Sequence, residues 1–218
     1  MTTTDDREFL PAMAKPHLLR FYDPLSRLTG IREVHWQLVA QAGIEAGATV
    51  LEIGCGTGNV LMLAARVVPG TTVIGLDPDP DALAIAGRKL RRAGLDVRLD
   101  QGYADRLPYA DGSVDRVLSS FMLHHLPRTE RQAALREVRR VLAPGGRLHL
   151  LDVDGEMPTP HGVLRLLRIF HRRHDHVGHT HDHVPIAAAL REAGFSDVSE
   201  NGHGTSSLGD HTFYRATR

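Results

Sequence analysis

The stretch VLEIGCGTGN, from Val50 to Asn59, decides the fold of this chain. Its first residues are apolar and mostly β-favouring, which predicts a short buried strand. Glycines then alternate at positions 54, 56 and 58, and an apolar run of helical length follows them. Glycine allows a positive φ and lets a ligand approach the backbone because it carries no Cβ. A strand, a glycine-rich turn and a helix in this order indicate the start of an α/β nucleotide-binding unit.

The spacing of the glycines separates this loop from the dinucleotide-binding fingerprint. That fingerprint reads G-x-G-x-x-G, whereas residues 52–58 read E-x-G-x-G-x-G. Asp77 ends the next predicted strand, about twenty residues past the loop, where an acidic residue can accept hydrogen bonds from both ribose hydroxyls. The alternative is that Asp77 caps the helix that starts near Pro80. Because Asp81 can cap that helix, the ribose role is favoured.

Strand and helix patterns alternate along most of the chain, which predicts a parallel sheet with helices on both faces. Pro- and Gly-containing breaks separate the segments. Helices are predicted over residues 13–28, 31–42, 81–92, 129–142, 163–170 and 185–193, and strands over 50–53, 72–76, 96–99, 113–119, 147–153, 195–200 and 211–216. The last two strands are expected to form a hairpin-like pair that completes the sheet.

The composition is that of an ordinary globular domain. The 218 residues are 42% hydrophobic and 24% charged, and the 26 Lys and Arg residues balance the 26 Asp and Glu residues. This balance does not favour a nucleic acid or an anionic membrane as partner. Cys55 is the single cysteine, which excludes an intrachain disulfide and a cysteine metal cage. The sequence shows no signal-peptide pattern and no apolar stretch of ~18 residues, so we expect a cytoplasmic protein without integral membrane segments, as a monomer or homodimer.

Several longer motifs resemble those of one family. The E-x-G-x-G-x-G loop resembles motif I of the class I S-adenosylmethionine (SAM) methyltransferases. The segments FYDPLSRLTGI (21–31), LPYADGSVDRVLSSFMLHHL (107–126) and VLAPGGRLHLLDV (141–153) are similar, in consistent order, to the UbiE-like methyltransferases of menaquinone and ubiquinone biosynthesis. This resemblance implies one Rossmann-like α/β domain over residues 1–218, with a seven-stranded, mostly parallel sheet whose last strand is antiparallel. Residues 1–48 would form a helical N-terminal cap, and residues 155–194 acceptor-side helices and a His-rich lid.

The same resemblance implies a site for SAM, with S-adenosylhomocysteine (SAH) as product. The glycine loop and Glu52 would hold the methionine portion, Asp77 the ribose, and Tyr103 with Ala104 the adenine. The family usually has an acidic or amide residue at the position of Tyr103, so either Tyr103 or Asp105 could read the adenine amine. The residues assigned to the cofactor are Tyr22, Glu52, Gly54, Cys55, Gly56, Thr57, Gly58, Asp77, Pro78, Gly102, Tyr103, Ala104 and Ser120.

Methyl transfer from SAM requires no nucleophilic side chain, because the sulfonium is already a good leaving group. The protein has to place the acceptor in line with the S–methyl bond and exclude water. His124 and His125 follow the fourth predicted strand, beside the expected methyl position. Either could deprotonate or orient an acceptor, since histidine titrates near neutral pH. The alternative is that both are polar residues of the pocket wall.

Histidines are concentrated in the run HRRHDHVGHTHDH, residues 171–183. In an extended segment the last three would lie on one face, and imidazoles so arranged can bind zinc, copper or nickel. The alternative, a solvated lid loop, is favoured because Arg and Asp residues are interleaved with the histidines. We therefore predict no functional metal, and the weaker candidates for ligands are His174, His176, His179, His181 and His183.

These observations predict a SAM-dependent methyltransferase that acts on an O-, C- or N-nucleophile of a small acceptor, aromatic or polyketide-like. Apolar helices over residues 9–28 and 163–170 would form the acceptor pocket. Two alternatives stay open. One is a quinone-biosynthesis enzyme with a lipid-tailed acceptor, and the other is a SAM- or metal-binding regulatory protein that transfers no methyl group.

Overall fold

The computed structural model describes residues 30–153, 184–206 and 209–218. Most of the predicted N-terminal cap, including Tyr22, lies outside these residues, as do the helix predicted over residues 163–170 and the histidine-rich run. The described elements follow the predicted alternation. In chain order they are α1 (Ile31–Gln41), β1 (Thr49–Ile53), α2 (Asn59–Val67), β2 (Thr72–Asp77), α3 (Pro80–Arg92), β3 (Arg98–Gln101), β4 (Val114–Ser120), a 3₁₀ turn (Leu123–His125), α4 (Arg128–Val141), β5 (Leu142–Asp152), α5 (Ile186–Glu192), β6 (Ser196–Ser206) and β7 (Gly209–Thr217).

The seven strands form one sheet in the order β3-β2-β1-β4-β5-β7-β6. Strands β1 to β5 pair in parallel, and β7 is antiparallel to both β5 and β6. The sequence prediction of a mostly parallel sheet with an antiparallel last strand is therefore confirmed. The order reverses between β1 and β4, so the carboxyl ends of these two strands flank the topological switch point, where open α/β sheets bind ligands.

Side chains on the parallel strands alternate between two apolar cores, one on each face of the sheet. On β1, Val50 packs with the core that α1, α2 and α3 cover, and Leu51 packs with the core that α4 and α5 cover. Both side chains are fully buried. Because both faces are covered, the central strands β1 and β2 are mostly apolar along their length. The same burial fixes the loops at the carboxyl ends of β1 and β4.

Among the predictions that were wrong, one helix cap and two strand starts have a local reason, and β6 ends at Ser206, six residues later than predicted. Asp79, not Asp81, caps α3: its Oδ1 accepts hydrogen bonds from the backbone N–H of Asp81 (2.8 Å) and of Ala82 (3.3 Å). Strand β3 starts two residues late, because Leu95 N–H still donates to Leu90 O and closes the preceding helix. Strand β5 starts at Leu142, which pairs with Val114, and a β-bulge then accommodates the Pro-Gly-Gly segment that was predicted to lie before the strand.

One histidine is buried within the sheet itself. His149 on β5 is 2% exposed and pairs in register with Leu118 on β4 and Arg215 on β7. Burial, and after it the charges of nearby Arg116, Arg147 and Arg215, lower its pKa from 6.5 to about 4. His149 is therefore neutral in the folded protein at pH 7. Across the described part of the chain, no helix has the length and apolarity to cross a membrane.

The depressed pKa of His149 predicts a loss of stability in acid. Histidine in the unfolded chain takes up a proton near pH 6.5, whereas folded His149 accepts one only near pH 4. The free energy of unfolding is therefore unaffected by protonation of His149 well above pH 6.5, and it decreases as the pH falls from 6.5 towards 4. Between pH 7.5 and 5.5 we expect the wild-type protein to lose about 1.4 kcal/mol more than His149→Gln. Urea denaturation at the two pH values measures this, with His203→Gln, whose side chain is 66% exposed, as the matched control. Equal losses in wild type and His149→Gln would contradict the assignment.

Candidate functional site

The glycine loop leaves β1 as a tight turn held against β2. The backbone N–H groups of Gly54 and Cys55 both donate to Leu76 O, at 2.8 and 3.1 Å. Gly58 N–H donates to Cys55 O at 2.9 Å, and Gly58 is the N-cap of α2. All three glycines have positive φ, between 49° and 78°. The loop therefore requires glycine for its backbone conformation alone.

The three glycines differ in what a side chain would meet. A Cβ at Gly54 would lie 2.5 Å from Met122 Cγ, and a Cβ at Gly58 would lie 3.0 Å from Ala86 Cβ. Because Gly54 and Gly58 carry no side chain, the loop can pack closely against the segment after β4 and against α3. A Cβ at Gly56 would meet no atom of the described residues within 4 Å. As far as the described residues show, the middle of the loop faces open space, which leaves its backbone accessible to a ligand.

Asp77 lies beside this loop and is bonded to it. Its Oδ2 accepts from Gly56 N–H at 2.7 Å, and its Oδ1 accepts from Asp79 N–H at 2.9 Å. The residue is 8% exposed. Burial raises its pKa, while the two backbone hydrogen bonds oppose that shift. Each carboxylate oxygen can accept one more hydrogen bond, so Asp77 could bind a pair of hydroxyls without releasing the glycine loop.

Glu52, the second carboxylate of the predicted set, lies beneath the start of α2. It is 3% exposed and accepts a hydrogen bond from the backbone N–H of Leu61. Its Oε2 has no hydrogen-bond partner among the described residues. Burial raises the pKa of Glu52 well above its usual range, and the charge of Asp77 raises it further. Glu52 therefore satisfies one amide of the α2 N-terminus and leaves one buried oxygen for another donor.

Cys55 and Thr57, the other loop side chains, are both 5% exposed. The Cys55 sulfur lies near Gly75, where an added Cβ would be 2.9 Å from Sγ. Burial raises the pKa of the Cys55 thiol well above its usual range, and the charge of Glu52 raises it further. A buried neutral thiol is a packing group and a poor nucleophile.

The loop after β3 closes another side of the site. Gly102 N–H donates to Asp77 O at 3.1 Å, so Gly102, Tyr103 and Ala104 begin next to the aspartate. Helix α4 anchors the far end of this loop, since Glu137 Oε2 accepts from Leu107 N–H at 2.9 Å. Arg140 of the same helix donates to the carbonyl oxygens of Leu107 and Tyr109 at 2.9 Å each. Its hydrogen bonds to Glu137 hold the pKa of that carboxyl below its usual range. The predicted adenine segment is thus fixed at both ends.

The end of β4 contributes a third group of side chains. The Ser120 hydroxyl is buried and has no hydrogen-bond partner within the described ranges. Phe121 follows with φ +52°, unusual for a bulky residue, and its N–H donates to Leu151 O at 2.8 Å. Its ring lies between those of His35 and His211, at 6.4 and 6.1 Å between centroids. This packing holds the backbone so that the chain turns sharply toward the glycine loop.

His124 and His125 lie in the 3₁₀ turn after β4, with ring centroids 3.9 Å apart. His124 Nδ1 lies 2.5 Å from Oδ1 of Asp152, the last residue of β5. Sequence reasoning missed Asp152, although a signal was present. An aspartate directly after the apolar run of a parallel strand lies at the same edge of the sheet as the glycine loop. Among residues that the structure describes, no group of three His, Cys, Asp or Glu side chains could hold a metal ion.

Comparison with known proteins identifies the family. Residues 50–146 match the profile of a family described as a methyltransferase domain. The chain is 36% identical over 156 residues to demethylmenaquinone methyltransferase of Thermus thermophilus, covering 70% of this chain and 69% of that protein. It is 39% identical over 119 residues to methyltransferase GfsG of Streptomyces halstedii, covering 54% of this chain but only 42% of GfsG.

Solved structures agree at the level of the fold. A SAM-dependent methyltransferase from Aquifex aeolicus superimposes with a TM-score of 0.67 at 21% identity, covering 94% of this chain and 99% of that one. The sheet order, the E-x-G-x-G-x-G loop and the Thermus thermophilus relative lead to one conclusion. The chain belongs to the class I, UbiE-like family of SAM-dependent methyltransferases, with SAM as its cofactor.

Proposed function

We propose that this chain transfers the methyl group of SAM to a small-molecule acceptor, and that the edge of the sheet around Gly56 and Asp77 holds the cofactor. The observation that carries the proposal is the 2.7 Å hydrogen bond from Gly56 N–H to Asp77 Oδ2. It brings the glycine loop next to a buried carboxylate that can accept further hydrogen bonds, beside the switch point. A ligand with a ribose next to an amino-acid chain matches that pair.

The buried polar atoms of the site fit such a cofactor. Glu52 Oε2 and Ser120 Oγ are buried and lack hydrogen-bond partners among the described residues. They lie on β1 and β4, which flank the switch point. Buried polar atoms are normally paired, so both are suited to the polar part of a ligand between these strands. We assign Glu52 and the loop 54–58 to the methionine portion, and Ser120 to the inner wall.

The remaining roles follow from position. Asp77 and Pro78 would bind the ribose, and Gly102, Tyr103 and Ala104 the adenine, with Tyr103 or Asp105 facing the adenine amine. When bound, SAM supplies a methyl group on a positively charged sulfur, which leaves as a thioether. The work of the protein is then orientation and exclusion of water. The glycine loop, held by its hydrogen bonds to β2, is positioned for both.

For the acceptor we favour a small aromatic or polyketide-like molecule. The second candidate is a lipid-tailed quinone, because the Thermus thermophilus relative is named a demethylmenaquinone methyltransferase. Methyl transfer assays with short-chain naphthoquinols and with tail-free phenols would separate the two. SAH binding without transfer to any phenol, quinol or amine would instead favour a regulatory protein that binds SAM.

The ribose assignment predicts a large effect of Asp77→Asn on cofactor binding. The amide loses the charge that accepts both hydroxyls, and hydrogen bonds to charged groups contribute about 1.5–3 kcal/mol each. We expect SAH to bind about 100-fold more weakly or worse by isothermal titration calorimetry. Asp81→Asn, on an exposed acid of the first turn of α3, is the matched control and should bind as the wild type does. An Asp77→Asn affinity within about threefold of wild type would contradict the proposal.

The open space at Gly56 gives a second, independent prediction. Gly56 and Gly70 both have positive φ and both lack neighbours within 4 Å of an added Cβ, but Gly70 lies in the turn between α2 and β2, at the opposite edge of the sheet. Alanine at either position should cost about 1–2 kcal/mol of stability from backbone strain. Only Gly56→Ala places a methyl group where the cofactor would lie, so only this variant should lose SAH binding in calorimetry. Equal SAH affinities of the two folded variants would show that the loop does not hold the cofactor.

A further inference from the structure

His124 and Asp152 form a hydrogen-bonded pair at the carboxyl edge of the sheet. Strands β4 and β5 are parallel neighbours, with Ser120 opposite Leu151, so the residues that follow them lie together. The same segment reaches the glycine loop, because the Met122 side chain occupies the space where Gly54 would carry a Cβ. The pair is therefore adjacent to the loop that we assign to the methionine end of the cofactor.

Several hydrogen bonds from neighbouring groups hold the Asp152 carboxylate in place. It is fully buried, and its Oδ2 accepts from the backbone N–H of Leu123 (2.9 Å) and of His124 (3.3 Å). Its Oδ1 accepts from Val153 N–H (2.9 Å) and faces the His124 ring. Three backbone N–H groups thus donate to this one buried carboxylate. With a carboxylate oxygen 2.5 Å from Nδ1, we assign the ring proton of His124 to that nitrogen.

The pair thereby sets the tautomer of His124. With Nδ1–H donating to Asp152, Nε2 of a neutral imidazole keeps its lone pair and can accept a proton. The His124 side chain is 19% exposed, whereas Asp152 is enclosed. His125 is the poorer base, because burial and then the charge of His124 lower its pKa to about 4. Of the two histidines that the sequence singles out, the geometry selects His124.

We propose that His124, held by Asp152 as a positioning residue, is the general base for a hydroxyl acceptor, so that the substrate class is a phenol, hydroquinone or enol. This inference rests on the proposed function. As the acceptor oxygen, or the ring or enol carbon conjugated to it, forms its bond to the methyl carbon, the C–S bond breaks and its electrons leave with the sulfur of SAH. The O–H proton passes to Nε2, and the imidazolium is stabilised by Asp152.

The acidity of the acceptor favours hydroxyls of this kind over alkyl amines. An alkyl amine arrives as an ammonium with a pKa near that of lysine, about 10.4, and its cationic nitrogen has no lone pair for the methyl group. A phenolic or enolic hydroxyl keeps its lone pairs while protonated, and its acidity rises as the new bond forms. A histidine side chain that can accept a proton is suited to the hydroxyl acceptor.

Two variants of His124 separate a base from a purely structural partner. In His124→Asn the side-chain N–H₂ lies where Nδ1 lies, so the hydrogen bond to Asp152 can persist while Nε2 is lost. His124→Ala loses both. If the pair only closed the end of β4 and β5, His124→Asn would behave as wild type and His124→Ala would not. His203→Gln, on an exposed strand position, is the matched control.

The decisive experiment compares a reaction that releases a proton with one that does not. Methylation of bound SAH by methyl iodide forms a C–S bond, releases iodide and moves no proton, whereas methylation of a catechol or a naphthoquinol releases one. We expect His124→Asn to retain SAH affinity and the methyl iodide reaction within about twofold. Its kcat/KM for the hydroxyl probes should fall about 100-fold or more, with loss of the acidic limb of the pH profile. His124, His125 and Asp152 are the titratable groups of the described residues in that turn and strand end.

A second readout needs no acceptor. Long-range ¹H–¹⁵N spectra of the SAH complex should show the His124 tautomer that carries its proton on Nδ1. A proton on Nε2 would overturn the inference, as would hydroxyl transfer by His124→Asn at the wild-type rate. Preference for an alkyl amine probe, or the methyl iodide reaction without transfer to any hydroxyl probe, would also overturn it. A wild-type protein that neither binds SAH nor methylates it would instead contradict the proposed function.

Discussion

The hydrogen bond from Gly56 N–H to Asp77 Oδ2 connects the two loops on which the site depends. It can form only because Gly56 adopts φ +49° and because Asp77 is the last residue of β2, next to β1 in the sheet. A buried carboxylate requires donors, because unpaired polar groups away from water are costly. Gly56 N–H supplies one such donor, and each oxygen of Asp77 keeps the capacity to accept another hydrogen bond.

Three of the buried carboxylates at this edge have different surroundings. Asp152 is enclosed by donors, and its Oδ1 faces the ring of His124. Asp77 has two backbone donors and keeps acceptor capacity toward the ligand. Glu52 has one amide donor and one unpaired oxygen among the described residues, and its raised pKa reflects that poorer solvation. The three carboxylates are all buried, so what distinguishes them is the set of donors around each one.

The fold could be predicted from the sequence because its signals are local. The apolar strand of Val50, the glycine spacing and the Pro-Gly breaks each specify one element, and the alternation of elements then specifies a parallel sheet. Details set by pairing could not be predicted. The start of β5 depends on Leu142 meeting Val114 across a bulge, and the cap of α3 depends on which of three nearby aspartates reaches the first turn.

Some residues of the candidate site could likewise be predicted from local sequence, and others could not. Gly56 and Asp77 could be located because each follows a recognisable strand, and the structure places them within hydrogen-bonding distance. Asp152 escaped prediction because its partner lies 28 positions earlier in the chain and only the strand order brings them together. The assigned functions of all these residues stay predictions.

A crystal structure of the complex with SAH tests the central claim most directly. The account predicts the ribose hydroxyls within about 2.5–3.0 Å of the Asp77 carboxylate, with the Gly56 N–H still bonded to Oδ2 and the methionine portion over the glycine loop. A complex in which SAH lies elsewhere, or in which Asp77 turns away from the ribose, would contradict it.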